Sequence, residues 1–236
     1  MTDVVSGSFE SLVARPDTHV VVDFTAGSRT LLVLFGGIAG GVSMPVFEFF
    51  RLTSELPVNK AFLRDPRRGW YQLGIPGLGD SATAVLDHLQ AIIARAGAGR
   101  VVMAGASAGG FAAILFGALC AADEVIAFSP QTFVDRENRA RAGDTRWQEQ
   151  IDRLHECLDP QSATLDLLDV LTPESGKTRY QIHVSTDDAF DELHAHRIAH
   201  CRGVDITEHE RGGHRLVKTL RDRGVLRPML LSALRQ

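Results

Sequence analysis

Short apolar runs without hydrophobic–polar alternation recur along the chain, and they constrain its fold more than any other feature. Arg100–Gly105 reads RVVMAG and Glu124–Pro130 reads EVIAFSP. A strand with one wet face alternates, whereas a continuously apolar strand needs cover on both faces. Runs of strand character lie at His19–Phe24, Thr30–Phe35, Lys60–Arg64, Arg100–Gly105, Glu124–Phe128, Arg179–Val184 and Asp205–His209. Longer stretches of helical spacing separate most of them, with helices expected over Val46–Leu56, Ala82–Ala96, Ala108–Ala121, Asp191–Cys201, His214–Arg223 and Leu226–Leu234. Strand-to-helix alternation favours parallel pairing, because a parallel return needs a long crossover. The fold class expected is α/β: a mostly parallel central sheet of about seven strands with helices on both faces. Only the first two runs are close enough, across Thr25–Arg29, for a hairpin, so this pair is expected to be antiparallel.

The chain's 236 residues suit one compact domain, taken as residues 1–236. One stretch interrupts the rhythm. Thr132–Pro160 is polar and arginine-rich, with helical spacing around Trp147, Ile151, Leu154 and Leu158. It is expected to form a helical insertion, within residues 132–172, over the edge of the sheet where open α/β folds bind ligands. A packing helix and a partial lid are both open for it.

Composition excludes some classes. A formal net charge of -4 gives no electrostatic footprint for nucleic acid. The cluster Arg64, Arg67 and Arg68 reads as solvated surface. Three cysteines, Cys120, Cys157 and Cys201, lack metal-type spacing and fit reduced thiols. No run approaches the ~18 apolar residues of a membrane span, and the first residues lack the pattern of a signal peptide. A cytoplasmic protein is expected.

The strongest local signal is Gly105-Ala106-Ser107-Ala108-Gly109. It matches G-x-S-x-G, between an apolar strand and an alanine-rich helix. A turn that sharp has no room for side chains beside the serine, and the two glycines supply the space. The hydroxyl would stand above the sheet, with the N–H groups of a helix start behind it. A serine hydroxyl also needs a base. Among nine histidines, His214 stands out, because it follows the last strand in Glu210-Arg211-Gly212-Gly213-His214. His194, His196 and His200 read as a solvated helix face. The acid that orients the base is expected after the preceding strand, in Thr186-Asp187-Asp188-Ala189-Phe190-Asp191. Asp187 is chosen for its closeness to the strand end, Asp188 competes with it, and Asp191 reads as a helix N-cap. For oxyanion donors, the N–H of Ala108 follows the nucleophile. The loop Gly36-Gly37-Ile38-Ala39-Gly40-Gly41 supplies Gly37, with Ile38 next.

The elbow GASAGG, the FGGIAGG loop, the TDD turn and the GGH loop together resemble the α/β-hydrolase superfamily, over nearly the whole chain. The order Ser, Asp, His is the order of that superfamily. The chain departs from it in carrying Phe35 before the glycines, and in its Arg64-Asp65…Trp70-Tyr71 and SPQTF stretches. The resemblance implies a serine esterase-like enzyme acting on a small-molecule acyl ester or thioester, with no metal or organic cofactor. Two other possibilities stay open. One is acyl transfer, or deacylation of a carrier in a biosynthetic pathway, with Arg136, Arg139 and Arg141 docking the partner. The other is a non-catalytic binding protein that kept the fold.

Overall fold

The computed structural model describes residues 17–38, 49–159, 163–171 and 176–235, together with Ser11 and Arg15. Seven strands form one sheet: β1 (Val20–Asp23), β2 (Thr30–Phe35), β3 (Asn59–Leu63), β4 (Arg100–Ala106), β5 (Glu124–Phe128), β6 (Arg179–Ser185) and β7 (Val204–His209). Their order is β1-β3-β2-β4-β5-β6-β7. β1 pairs antiparallel with β3, and every other pairing of the described strands is parallel.

The expected β1–β2 hairpin does not form. The Thr25–Ser28 turn is present, with Ser28 N–H donating to the Thr25 carbonyl, but β2 lies between β3 and β4. Burial explains the arrangement. β2 is apolar on both faces and buried from Leu31 to Phe35, which suits a central strand of a sheet covered on both faces. β1 is only half-buried and ends in Asp23, which suits an edge. Asp23 also pairs with the buried Lys60 of β3 at 3.2 Å.

Among the described residues beyond β2, the helices are α1 (Phe50–Thr53), α2 (Ala82–Arg95), α3 (Ala108–Leu119), α4 (Arg136–Ala142), α5 (Gln148–Cys157), α6 (Ala189–Arg197), α7 (Leu216–Asp222) and α8 (Leu226–Arg235). Of the helix expected over Val46–Leu56, positions 46–48 lie outside the described residues. The period of two along β2 divides two cores. Leu31, Val33 and Phe35 face one core, with α2, α3, α5 and α6. Leu32 and Leu34 face the other, with α7, α8 and Phe49. Leu230 and Ala233 are buried in this second core. α3 is apolar all round and buried over its first ten residues, as expected of a helix beneath other helices.

The insertion between β5 and β6 contains α4, α5 and a 3-10 turn at Leu167–Asp169. Ile151 and Leu154 fasten α5 into the first core, as their spacing predicts. Arg64 is not solvated surface: it is 8% exposed and donates to the Arg15 carbonyl at 2.7 Å.

Candidate active site

The carboxyl ends of β2, β4, β5, β6 and β7 lie along one edge of the sheet, and the candidate residues follow those ends. β4 runs into α3 through Ser107, whose φ of 56° and ψ of -122° are unusual for a residue with a side chain. Packing imposes that turn. A Cβ on Gly105 would lie 2.1 Å from the Gly109 carbonyl oxygen, and one on Gly109 would lie 2.3 Å from the Phe35 oxygen. Both glycines are thus required by the close approach of α3 to β4 and β2. The Ser107 side chain caps nothing, while its N–H donates to the Phe128 carbonyl at 2.9 Å.

Ser107 Oγ lies 2.9 Å from His214 Nε2, and His214 Nδ1 lies 2.9 Å from both carboxylate oxygens of Asp191. An ionised carboxylate only accepts, so Nδ1 carries the proton. Nε2 then accepts from the Ser107 hydroxyl. An imidazole held in this tautomer is arranged to take the serine proton.

Asp187 does not meet His214. Its carboxylate accepts from Ser185 Oγ at 2.6 Å, Gly212 N–H at 3.2 Å and Gly213 N–H at 2.7 Å. The Ser185 hydroxyl and these loop amides hold its pKa below the ordinary value. Asp187 therefore fastens the loop that carries the histidine. Asp188, the other candidate, is the N-cap of α6 and accepts from the Asp191 N–H at 3.1 Å. Asp191 was expected to be that cap. With the cap three residues earlier, Asp191 falls in the first helical turn, and its side chain is fully buried. Burial pushes its pKa up, but the hydrogen bond and charge of His214, joined by Arg146, outweigh burial and keep it below the ordinary carboxylate range. The signal in the sequence was the pair Asp188 and Asp191 at capping distance.

Of the expected oxyanion donors, Ala108 is the first residue of α3, where an N–H has no partner within the helix. Gly37 is packed against the elbow: a Cβ there would lie 3.1 Å from the Ala106 oxygen and 3.8 Å from Ser107 Cβ. The neighbouring Gly36 is tied by its N–H to the Leu63 carbonyl, while its own carbonyl accepts from the buried Tyr71 hydroxyl at 2.9 Å. Ala39, Gly40 and Gly41 lie outside the described residues.

Two further groups border the site. Gln131, fully buried three residues past the end of β5, accepts from Trp70 Nε1 at 3.1 Å, and its Oε1 lies 3.4 Å from Ser107 Oγ. Trp70, Tyr71 and Gln131 belong to the stretches that depart from the resemblance. The α4–α5 connection supplies the second group. Arg146 Nη1 donates to Asp191 Oδ1 at 2.8 Å, and the Trp147 ring lies 4.8 Å from the His214 ring. Spacing placed Trp147 on the helix but gave no reason to bring it to the histidine.

His194, read as part of a solvated face, is fully buried. Its Nδ1 accepts from Thr132 N–H at 3.0 Å, which leaves Nε2 to donate to Asp144 at 3.2 Å. His196 is exposed, as expected, and faces Glu208. Ligand atoms of Asp188, Asp191 and His214 lie within 4.8 Å of one another, as a cation site would require. Arg146 already puts its charge there, so a metal ion would have to displace it.

No protein-family model matches the sequence, and no curated protein does. Solved structures do match in three dimensions. Est1E from Butyrivibrio proteoclasticus has 13% identity and a TM-score of 0.61, over 92% of this chain and 94% of that one. FphF, a fluorophosphonate-binding serine hydrolase of Staphylococcus aureus, has 16% identity and a TM-score of 0.61, over 91% of each chain. The capsule O-acetyltransferase of Neisseria meningitidis serogroup A has 12% identity and a TM-score of 0.63, over 90% of each. With its mostly parallel sheet, its strained turn after β4 and these likenesses, the chain has the α/β-hydrolase fold.

Proposed function

We propose that this chain is a serine hydrolase that cleaves a carboxylic ester or thioester through an acyl-serine intermediate. The observation that carries the reading is the continuous hydrogen-bonded chain from Ser107 through His214 to Asp191, mounted on a strained strand-to-helix turn. His214 Nε2 takes the hydroxyl proton as Ser107 Oγ attacks the acyl carbon. The C–O or C–S bond then breaks, and His214 returns the proton to the departing alcohol or thiol. Water repeats the sequence and releases the acid. Asp191 holds the tautomer and stabilises the imidazolium. The N–H groups of Ala108 and Gly37 are proposed to receive the oxyanion. No step calls on a metal or an organic cofactor.

The test is labelling with a fluorophosphonate probe, which phosphonylates an activated serine. Wild type should label, and Ser107→Ala and His214→Ala should not. A folded wild type that neither labels nor hydrolyses p-nitrophenyl esters would favour the binding-protein alternative. Labelling that survives Ser107→Ala would displace the nucleophile.

A second reading, acyl transfer to an acceptor other than water, uses the same residues. It draws support from the fold shared with the capsule O-acetyltransferase. An acetyl donor offered with a sugar acceptor separates the two: acetylated sugar marks transfer, and free acetate alone marks hydrolysis. A docking role for the insertion's arginines falls to Arg136 and Arg141, which are exposed. Arg139 is 4% exposed, and it donates to the Arg146 carbonyl.

A further inference from the structure

The Arg146 guanidinium is tied to three carboxylates beside the site, those of Asp144, Asp191 and Asp188. Its Nε and Nη2 donate to the two oxygens of Asp144, each at 3.0 Å. Its Nη1 donates to Asp191 Oδ1 at 2.8 Å and reaches Asp188 Oδ1 at 3.4 Å. The guanidinium carbon lies 4.9 Å from the centres of both the Trp147 and the Phe190 rings. A planar guanidinium held this way has little rotational freedom left.

The anchor behind it is also fixed. Asp144 is 2% exposed, accepts from buried His194, and pairs with Arg139 at 3.8 Å. The clamp comes from a chain segment remote from α6, because Asp144, Arg146 and Trp147 all lie between α4 and α5. Trp147 adopts a left-handed φ of 54° to enter α5, a conformation that costs a non-glycine residue about 1–2 kcal/mol. That geometry puts the indole against His214 and the arginine against Asp191.

We propose that Arg146 is a positioning residue for Asp191, and through it for His214, so that the α4–α5 connection completes the site instead of only covering it. The proposal rests on the serine-hydrolase reading for its kinetic consequence. The groups facing Asp191 and Arg146 are His214, Asp188, Asp144, Arg139 and His194. With the guanidinium gone, Asp191 keeps its bond to His214 but loses the partner that fixes its second contact. Its negative charge then acts on the imidazole without an opposing cation. The first change slows catalysis. The second favours the protonated imidazole and moves the acid limb of the pH profile upward.

The variants are Arg146→Met, which keeps length without charge, and Arg146→Lys, which keeps charge without the fork. Hydrolysis of p-nitrophenyl acetate across pH gives kcat, KM and the acid limb. Arg146→Met should lower kcat by about tenfold to a hundredfold, as small displacements of catalytic groups do. KM should stay within about twofold, and the acid limb should rise by about half to one pH unit. Arg146→Lys should restore the limb and part of kcat. An unchanged kcat and limb in folded Arg146→Met overturns the proposal. So does an activity loss matched by the unfolded fraction that lysine does not rescue.

If Arg146→Met alone fails to fold, because Asp144 is left buried with too little positive charge, Asp144→Asn/Arg146→Met removes that burden and the same outcomes apply. The His214 Nδ1–H proton resonance is a readout independent of turnover. It should exchange faster with water in Arg146→Met, and equal exchange in both proteins would also overturn the proposal. Failure of wild type to label with fluorophosphonate strikes the serine-hydrolase reading instead.

Discussion

The two arms of the Ser107–His214–Asp191 chain are built by different means. The serine arm is made of backbone. Ser107 is held by the turn between β4 and α3, by two glycines without room for a Cβ, and by its own N–H bond to Phe128. The acid arm is made of side chains from distant segments. Asp191 comes from α6, Arg146 and Trp147 from the α4–α5 connection, and His214 from the loop after β7, itself fastened by Asp187. A backbone device is compact in sequence and fails by steric clash. A side-chain network is scattered in sequence and fails by loss of charge and orientation. Aspartate chemistry divides along the same line, since Asp187 holds a loop and Asp191 holds the histidine.

The largest expected effect breaks the acid arm. Asp191→Asn should lower kcat roughly 10³–10⁴-fold, because an amide favours the wrong imidazole tautomer. Asp187→Asn should cost less than about tenfold, since its hydrogen bonds go to the loop. Steady-state kinetics on the two variants decides between them, and the reverse ranking would return Asp187 to the role expected from sequence.

Next in size is a break in the serine arm. Gly109→Ala puts a Cβ 2.3 Å from the Phe35 oxygen and should destabilise the fold by about 3 kcal/mol, the upper end of what overpacking a core costs. Chemical denaturation measures it. A loss below about 1 kcal/mol would show that the turn relaxes easily.

The third prediction sharpens the contrast through pH. The serine arm contains no titrating group, whereas β6 beneath the acid arm carries His183, which is 5% exposed. Burial first, and the neighbouring His209 second, push its pKa from 6.5 down to about 4. A base with a depressed folded pKa stabilises the fold fully above 6.5, and that contribution is lost as pH falls from 6.5 toward about 4. The loss is up to about 3 kcal/mol. Asp144 and Asp191 add to the decline at lower pH, because both are held below the ordinary carboxylate range. Urea unfolding at neutral pH and at about pH 5 reads the window. His183→Phe should make the decline shallower, the buried His194, whose pKa burial also lowers, supplying part of what remains; an equally steep decline in that variant would remove His183 as a cause.

Much of this was legible along the chain. The strand positions were, because a buried strand must be apolar on both faces. Ser107 and its glycines were, because a tight strand-to-helix turn has a short local signature. His214 was, because it follows the last strand in a glycine loop. The place of β1 was not. Turn length at Thr25–Arg29 permits a hairpin, and only the competition between β1 and β3 for the flank of β2 decides against it. The aspartate that meets His214 lies four residues beyond the one expected, about one turn of helix. Asp187, Asp188 and Asp191 offer the same chemistry, and choosing among them requires knowing where α6 begins.

Local sterics and the period of apolar residues were enough to specify a mostly parallel sheet covered on both faces and a tight strand-to-helix turn carrying Ser107. Only the tertiary structure decided which aspartate meets His214, that His194 lies inside the protein, and that Arg146 and Trp147 return to the site. Those contacts join residues far apart in the chain, and an interaction between distant side chains is set by packing, which leaves no local pattern to read.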